Sequence, residues 1–318
     1  MLQVTLGIDI GGTFTKIGVA NRAGDVLAED VLPTNIYKTI DPFLDILHRK
    51  SQTLLSSIDS KVDLVGIGVG APNGNYYNGT IENAPNLNWK GIIPFKQLLS
   101  KYFDVPIVLT NDANAAAIGE MVYGGAKNMR NFLVITLGTG LGSGIVVNGQ
   151  VLYGHSGLAG EFGHIIVREG GRNCNCGRKG CLETYASVTG IRRTVYKLLA
   201  DSNQPSEMRA VSFEGLDARM ITDAAMRGDK VAIEAFRYTG EILGLKLANA
   251  AAIFSPEAIF LFGGLVKAGK YLLNPTQHYM ETNMLNIFSN TFKLLPSQLM
   301  GKNAAILGSA ALVWNEIE

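Results

Sequence analysis

The hydrophobic pattern of the N-terminal third predicts strands and helices in alternation. Residues 4–20 (VTLGIDIGGTFTKIGVA) contain two apolar runs separated by Gly-Gly-Thr, which predicts two antiparallel strands joined by a tight turn. Residues 40–57 place their apolar side chains at helical spacing. Residues 62–70 (VDLVGIGVG) predict a buried strand, and residues 105–124 predict a strand that leads into a helix.

The first of these patterns returns in the middle of the chain. Residues 133–149 (LVITLGTGLGSGIVVNG) repeat the order of strand, glycine turn and strand. A repeat after about 125 residues predicts an internal duplication, with one copy opening each of two domains. Strands followed by alternating helices and strands favour an α/β architecture in both halves. A length of 318 residues also favours two domains.

The C-terminal half is predicted to be mostly helical. Helices are expected at residues 187–200, 219–227 and 231–254, and a strand is expected at residues 257–262. The final segment, AAILGSAALVWNEI, predicts a helix that packs back onto the first domain.

The domain boundaries are predicted from this order of elements. The N-terminal α/β domain is assigned residues 1–112 and a C-terminal helix at about residues 302–318. The C-terminal α/β domain, which carries the cysteine-rich loop, is assigned residues 113–301. The sequence has no Pro-rich or low-complexity linker, so we expect a hinge near residue 112.

Composition narrows the class of partner. The 28 basic and 27 acidic side chains give a net charge of +1, which argues against non-specific nucleic-acid binding. No apolar run reaches the roughly 18 residues of a membrane span. The start MLQVTLGIDI lacks the basic region and cleavage site of a signal peptide. We therefore expect a cytoplasmic protein with a small substrate and neither a nucleic-acid nor a membrane partner.

Two glycine turns are candidate phosphate-binding loops. In Gly11-Gly12-Thr13 and Gly138-Thr139-Gly140, bare backbone N–H groups can approach phosphate oxygens and the hydroxyl adds a donor. Asp9 precedes the first turn, and a single carboxylate is enough to hold a Mg²⁺ ion that keeps its waters. Either turn alone is equally well explained as a plain hairpin turn. Because there are two, we expect them to hold one polyphosphate from both sides.

Two other nucleotide-binding signatures are not supported. The chain contains no G-x-x-x-x-G-K-[ST] segment, which argues against a P-loop enzyme. Residues 66–71 (GIGVGA) match G-x-G-x-x-A, but Pro72-Asn73-Gly74 follows where a Rossmann fold requires a helix.

Asp112 lies in the segment TNDANAAA, between a predicted strand and an alanine-rich helix. One interpretation is a helix cap, since Asp and Asn are preferred at that position. The other is a general base that accepts a hydroxyl proton during phosphoryl transfer. A helix N-terminus would keep the carboxylate ionised, so the two interpretations are compatible.

All three cysteines lie within eight positions and form a candidate metal site. An odd number of clustered cysteines is a poor disulfide framework. Cys174, Cys176 and Cys181 together with His164 make a closed tetrahedral ligand set, which is typical of structural zinc. Inert buried thiols are the alternative, but the glycines and basic residues between them indicate an exposed loop.

Two glutamates flank this candidate metal site. Glu161 precedes His164 by three residues, and Glu183 follows Cys181 by two. A metal that fixes the loop would also fix these carboxylates, which can accept hydrogen bonds from sugar hydroxyls. The second ring nitrogen of His164 would be available to donate to another hydroxyl. The alternative is that both glutamates are surface charges.

The motifs, taken in order, resemble those of ROK-family sugar kinases over nearly the whole chain. The glycine turns alone would indicate only the wider actin-like ATPase superfamily. The Glu-x-Gly-His and Cys-x-Cys-Gly-x-x-Gly-Cys pair is specific. The matching segments are Asp9-Ile-Gly-Gly-Thr13, Asn111-Asp112-Ala-Asn114, Leu137-Gly-Thr-Gly-Leu-Gly-Ser-Gly144, Glu161-Phe-Gly-His164 and Cys174-x-Cys-Gly-x-x-Gly-Cys181-x-Glu183.

The resemblance implies two ribonuclease-H-like domains around a central cleft and a homodimeric assembly. It implies that ATP and Mg²⁺ are bound by the two loops, with Gly263-Gly264 near the adenosine, and that a phosphoryl group is transferred to the 6-hydroxyl of a hexose. Asp112 would be the base, and zinc would be bound by His164 and the three cysteines. The implied sugar contacts are Asn111, Asp112, Glu161, His164 and Glu183.

Glucose is the favoured substrate. Asn83-Ala-Pro-Asn86-Leu is similar to the glucokinase-type members, and Asn83 or Asn86 is expected to contact the sugar. One departure is Asn73, which stands where many members have the last glycine of Gly-x-Pro-Gly. Kinases of N-acetylglucosamine, N-acetylmannosamine, fructose or allose remain alternatives, as does polyphosphate as the donor.

Two other functional classes fit the sequence less well than a sugar kinase. The family includes sugar-responsive transcriptional regulators with an N-terminal helix-turn-helix, and a phosphate strand that begins by residue 4 is expected to leave no room for one. The remaining class is an actin-like structural ATPase, which the cysteine cluster and its flanking glutamates oppose.

Overall fold

The computed structural model of the protein describes residues 1–299 and 303–317. The predicted boundary at residues 301 and 302 and the predicted helix end at residue 318 lie outside the described residues. Along the described chain the strands and helices are β1 (Leu2–Ile10), β2 (Phe14–Asn21), β3 (Val26–Pro33), α1 (Ile40–Ser56), β4 (Val62–Gly70), β5 (Gly74–Asn75), β6 (Thr80–Glu82), β7 (Ile92–Ile93), α2 (Phe95–Leu99), β8 (Ile107–Thr110), α3 (Asp112–Tyr123), β9 (Phe132–Leu137), β10 (Leu141–Val147), β11 (Gln150–Val151), α4 (Val188–Asp201), α5 (Ala218–Met226), α6 (Lys230–Phe254), β12 (Ala258–Phe262), α7 (Lys270–Asn283), β13 (Lys293–Pro296) and α8 (Ala304–Ile317).

The first five-stranded sheet has the order β3-β2-β1-β4-β8. β1 is antiparallel to β2, and β4 is parallel to both β1 and β8. The β1–β2 pairing runs to Ile10 opposite Thr15, which confirms the predicted hairpin with a glycine turn. One face of this sheet packs against α1, whose buried side chains include Phe43, Leu44 and Leu47, so the amphipathic pattern at residues 40–57 is explained by this contact.

The second five-stranded sheet has the order β11-β10-β9-β12-β13. β12 is parallel to both β9 and β13. When the strands of each sheet are counted along the chain, both sheets have the order third, second, first, fourth, fifth. An identical order in two sheets supports the predicted internal duplication, since it is improbable for unrelated halves.

The chain divides into two compact units. The first contains Met1–Arg130, Gly144–Gly160 and the described residues of Ser297–Glu318, and the second contains Asn131–Ser143 and Glu161–Pro296. By this division α3 belongs to the first unit, whereas residues 113–301 are predicted from the sequence to form the second domain.

Contacts with α8 explain where α3 lies. A β-carbon at Gly119 of α3 would lie 2.8 Å from the Cα of Gly308 in α8, so the two helices approach at van der Waals distance through glycine. α8 also lies directly on the first sheet, where a β-carbon at Gly68 would meet the Ser309 carbonyl oxygen at 1.8 Å. The terminal helix therefore belongs to the core of the first unit.

The second unit is built on its longest helix, α6. Its buried glycines, Gly240 and Gly244, face Thr276 and Met280 of α7, so the two helices pack closely. Among the described residues, no helix combines the length and apolar character needed to cross a membrane.

Candidate functional site

The first glycine turn joins β1 to β2 and is held from two sides. The Gly11 amide donates to the Phe14 carbonyl oxygen at 3.0 Å, which closes the turn. A β-carbon at Gly12 would lie 2.7 Å from the carbonyl oxygen of Asn86, so only glycine fits at this position. The turn is therefore in contact with the backbone of Asn86, one of the two asparagines expected to contact sugar.

Two carboxylates interact next to this turn. Burial, and to a smaller extent the charge of Asp112, raise the pKa of Asp9 to about 6, and the charge of Lys16 opposes part of this shift. The pKa of Asp112 is also raised, because neighbouring protein atoms reduce the solvation of its carboxylate. The hydrogen bond from the Ala113 amide partly opposes this shift, and part of the residue remains exposed to solvent. Two interacting carboxylates with raised pKa values are typical of a site for a cation or a proton transfer.

The N-terminus of α3 positions Asp112. β8 ends at Thr110, and the side chain of Asn111 caps the helix by accepting a hydrogen bond from the Asn114 amide at 2.7 Å. The capping side chain is thus Asn111, and Asp112 is the first residue of the helix. Asp112 Oδ1 accepts from the adjacent Ala113 amide at 3.0 Å, which orients its carboxylate.

Asn73 occupies a backbone conformation that normally favours glycine. Its φ is 51°, in the left-handed region, where asparagine is among the few side chains readily accepted. Its Nδ2 atom donates to the Glu82 carbonyl oxygen at 2.9 Å and lies 3.5 Å from that of Asn83. The departure from glycine therefore keeps the turn and adds a link to the segment that contains Asn83, itself at φ 49°.

The second glycine turn joins β9 to β10 and closes through a 3.0 Å hydrogen bond from the Gly138 amide to the Gly140 carbonyl oxygen. Nearby, Gly263 has a φ of 112°, and a β-carbon there would lie 2.6 Å from the carbonyl oxygen of Leu137. Gly264 begins a short 3-10 helix that ends at Ala268. The strand that leads into the second turn therefore lies close to Gly263, the first of the two glycines predicted on the adenosine side.

His164, Cys174, Cys176 and Cys181 converge as predicted. One ligand atom from each lies within 4.8 Å of the others. The Sγ atoms of Cys176 and Cys181 are 3.6 Å apart, and the Cys174 Sγ is 3.7 Å from the His164 Nδ1. Zinc at 2.3 Å from each sulfur of a tetrahedron would separate two sulfurs by about 3.8 Å. The four side chains thus form a possible metal site with spacing suited to zinc.

The loop that carries these cysteines is held independently of the ligand atoms. An antiparallel bridge pairs Ile166 with Cys181 and another pairs Asn173 with Lys179. The guanidinium of Arg172 donates to the carbonyl oxygens of Thr184 and Gly190 at 2.8 and 2.9 Å and lies over the Tyr185 ring. The role of Arg172 in holding this loop could not be predicted, because nothing in its local sequence indicates these partners.

The three predicted sugar contacts of the second unit differ in their partners. The ring of His164 directs Nδ1 to Cys174, and its Nε2 is 3.8 Å from Glu161 Oε2. Nδ1 is therefore the ring nitrogen on the side of the cysteines, and Nε2 is the one near Glu161. Glu183 instead accepts the Leu141 amide on Oε2 at 3.0 Å, and its Oε1 lies 3.7 Å from Cys174 Sγ. No sequence signal connects Glu183 with the second glycine turn.

The predicted site residues divide between the two units. The first unit contains Asp9, Gly11, Gly12, Thr13, Asn83, Asn111 and Asp112. The second unit contains Gly138, Thr139, Gly140, Glu161, His164, Cys174, Cys176, Cys181, Glu183, Gly263 and Gly264.

Comparison with known proteins identifies relatives along nearly the whole chain. The sequence model of the ROK family matches residues 5–316. A glucokinase from Halalkalibacterium halodurans is 37% identical over 97% of this chain and 94% of that protein. A xylose repressor from Bacillus spizizenii is 32% identical, and the match covers 97% of this chain and 76% of the repressor.

A solved structure shows the same fold. The ROK family glucokinase from Streptomyces griseus, crystallised with glucose and AMPPNP, is 32% identical, with a TM-score of 0.81 over 97% of this chain and 98% of that chain. This similarity confirms the predicted fold class, an α/β chain with the two-domain actin-like ATPase fold.

Proposed function

Because the chain belongs to the ROK family, we propose that it is an ATP-dependent glucokinase that phosphorylates the 6-hydroxyl of glucose. The observation that carries this proposal is the interaction of Asp112 with Asp9 beside a glycine turn, in a chain that resembles glucokinases along nearly its full length. The sugar kinase class and the resemblance to a glucose-bound and AMPPNP-bound relative support it.

Asp112 is the general base in this proposal. The 6-hydroxyl oxygen bonds to the γ-phosphorus of ATP while the bond from that phosphorus to the oxygen of ADP breaks. The hydroxyl proton passes to the Asp112 carboxylate. A pKa raised by burial makes this carboxylate a better proton acceptor than an ordinary aspartate, provided that the pH keeps it ionised.

The glycine turns and Asp9 bind the phosphates. The backbone amides of Gly11-Gly12-Thr13 and Gly138-Thr139-Gly140 are the phosphate donors, and Gly263-Gly264 lies on the adenosine side. Asp9 holds Mg²⁺, which when bound neutralises charge on the phosphates. The raised pKa of Asp9 fits this role, since a carboxylate that is costly to ionise alone is stabilised by a cation.

The metal site is structural and holds zinc. His164, Cys174, Cys176 and Cys181 would supply four side-chain ligands, which would fill a tetrahedron around zinc and leave no open position for water. Asn83 and Asn111 of the first unit and Glu161, His164 and Glu183 of the second contact sugar hydroxyls. We further propose that the protein forms a homodimer, to be tested by sedimentation.

A coupled assay of ADP release tests the proposed function. The panel consists of glucose, N-acetylglucosamine, N-acetylmannosamine, fructose and allose, with ATP or polyphosphate as the donor. We expect the highest kcat/KM with glucose and ATP. A higher kcat/KM for another sugar would reassign the substrate. An absence of ADP release with every sugar of the panel would refute the proposal of a sugar kinase.

The xylose repressor relative supplies the second candidate function. A sugar-responsive regulator would bind a sugar without releasing ADP, because it needs ligand affinity but no phosphoryl transfer. Calorimetry with glucose or xylose in the presence of ATP, combined with the ADP assay on the same sample, distinguishes the two functions. Binding without turnover would favour the regulator.

A further inference from the structure

The second glycine turn is held by the segment that follows the last cysteine. The Val188 amide donates to the Gly138 carbonyl oxygen at 2.9 Å, and the Thr189 hydroxyl donates to the Thr139 carbonyl oxygen at 3.0 Å. Glu183 Oε2 accepts the Leu141 amide at 3.0 Å. These contacts, all within the second unit, hold the turn at Gly138, Thr139 and Leu141 from one segment, residues 181–189.

Glu183 lies between the turn and the metal ligands. A β-carbon at Gly140 would lie 2.2 Å from Glu183 Oε2, so the carboxylate rests directly on the backbone of the turn. Its other oxygen, Oε1, is 3.7 Å from the Sγ of Cys174. The next residue, Thr184, accepts a hydrogen bond from Arg172 in the cysteine loop. The position of this carboxylate is thus fixed from the side of the cysteine loop.

We propose that residues 181–189, fixed by the cysteine loop and its metal, hold the second glycine turn in the shape that binds nucleotide. Glu183 and Thr189 are positioning residues in this proposal, because they act on nucleotide through the backbone of the turn. The proposal rests on the assignment of this turn to ATP phosphates. It gives the metal site a role in nucleotide affinity as well as in sugar recognition.

The physical argument is preorganisation. Glycine loses more conformational entropy on ordering than any other residue, so a glycine-rich turn that is not held in place would lose part of its binding free energy to ordering. Hydrogen bonds to Gly138, Thr139 and Leu141 order the turn before the ligand arrives. Removal of one such bond is expected to weaken ADP binding roughly fivefold to tenfold, the effect of one lost hydrogen bond.

The test measures ADP binding to sugar-free protein by calorimetry. Glu183→Ala removes the acceptor for Leu141 and is expected to weaken ADP binding roughly fivefold to tenfold. Glu183→Gln keeps an acceptor oxygen of the same reach and is expected to bind ADP within about twofold of the parent protein. Thr189→Val removes the hydroxyl at similar volume and weakens binding, whereas Thr189→Ser keeps the hydroxyl and restores it.

Controls separate this role from general damage. Glu214→Gln changes an exposed charge elsewhere in the second unit and should leave ADP binding unchanged. The zinc content and melting temperature of each variant show whether the metal site and fold are intact. Hydrogen exchange at the Leu141 amide in ligand-free protein reports directly on the hydrogen bond to Glu183, and this exchange should accelerate in Glu183→Ala.

Two results would overturn the proposal. One is ADP binding in Glu183→Ala and Thr189→Val equal to that of the parent protein. The other is slow Leu141 amide exchange that persists in Glu183→Ala. Failure of the proposed function would give a different result. A protein that binds ADP but phosphorylates no sugar would refute the glucokinase, and the ADP affinities of the variants could still be compared.

Discussion

The two glycine turns occupy equivalent positions in two sheets of the same strand order, yet different structures support them. The first turn rests on the backbone of Asn86, whereas residues 181–189 support the second. The residue two positions before the first glycine also differs. Asp9 stands there in the first sheet, and Thr136 in the second, where its hydroxyl accepts the Gly142 amide at 3.1 Å. The duplicated fold therefore supplies two similar turns, and the side chains around them give the units different chemistry.

The largest expected effect is on the carboxylates of the first unit. Asp112→Asn keeps the shape of the side chain but removes the proton acceptor, so kcat should fall by about 10² to 10⁴. Calorimetry should show glucose and ADP affinities close to those of the parent protein. Asp104→Asn, an exposed change just before β8, is the matched control and should keep full kcat. A kcat within threefold of the parent protein would refute the assignment of Asp112 as the base.

The second prediction concerns the candidate metal site that supports residues 181–189 in the second unit. Cys181→Ala removes a buried ligand and should reduce zinc from about one per chain to near none, because the other three ligands leave the tetrahedron open. The melting temperature should fall by about 2 to 4 °C for each kcal/mol lost. Metal analysis and calorimetric melting measure both effects. Asn175→Ala changes an exposed residue between two ligands and should keep the metal; equal zinc in both variants would contradict the site.

The third prediction uses the raised pKa of Asp9, which burial shifts from 3.8 to about 6. The folded protein favours the protonated carboxyl, so in the absence of Mg²⁺ its stability should decrease as the pH rises from about 4 through 6. Asp9→Asn cannot ionise and should lose less stability over that interval. Melting temperatures at pH 4 and pH 7 check this difference, with exposed Asp59→Asn as the control. A constant difference between Asp9→Asn and the parent protein at both pH values would contradict the prediction.

The smallest expected effect is at Asn73 in the first unit. Asn73→Gly keeps the left-handed conformation but loses the hydrogen bond to Glu82, which should reduce the free energy of unfolding by about 1 kcal/mol. Asn73→Ala loses the bond and also strains the backbone, for about 1–2 kcal/mol more. Urea unfolding of both variants measures the difference. Equal stability of the two variants would show that the backbone conformation at this position is unimportant.

Much of the fold could be predicted because its signals are local. The helix at residues 40–57 and the hairpin around Gly11-Gly12 depend on spacing and turn chemistry within a few residues, and the structure confirms both. The four candidate metal ligands converge as expected, since Cys174, Cys176 and Cys181 lie on one short loop near His164. The local sequence does not show to which unit α3 belongs, because this is decided by contacts with α8, which is far away in sequence.

The sequence by itself indicated the principal strands and helices, the two glycine turns, the four candidate metal ligands and the family resemblance, but not the outer strands β3, β11 and β13. Only the tertiary structure decided that Asn111 caps α3, that Asn73 suits a left-handed turn and that Glu183 binds the amide of Leu141. Periodicity and turn chemistry act between neighbours in the chain. The partner of a carboxylate is chosen by packing between segments far apart in sequence, and no local pattern encodes that choice.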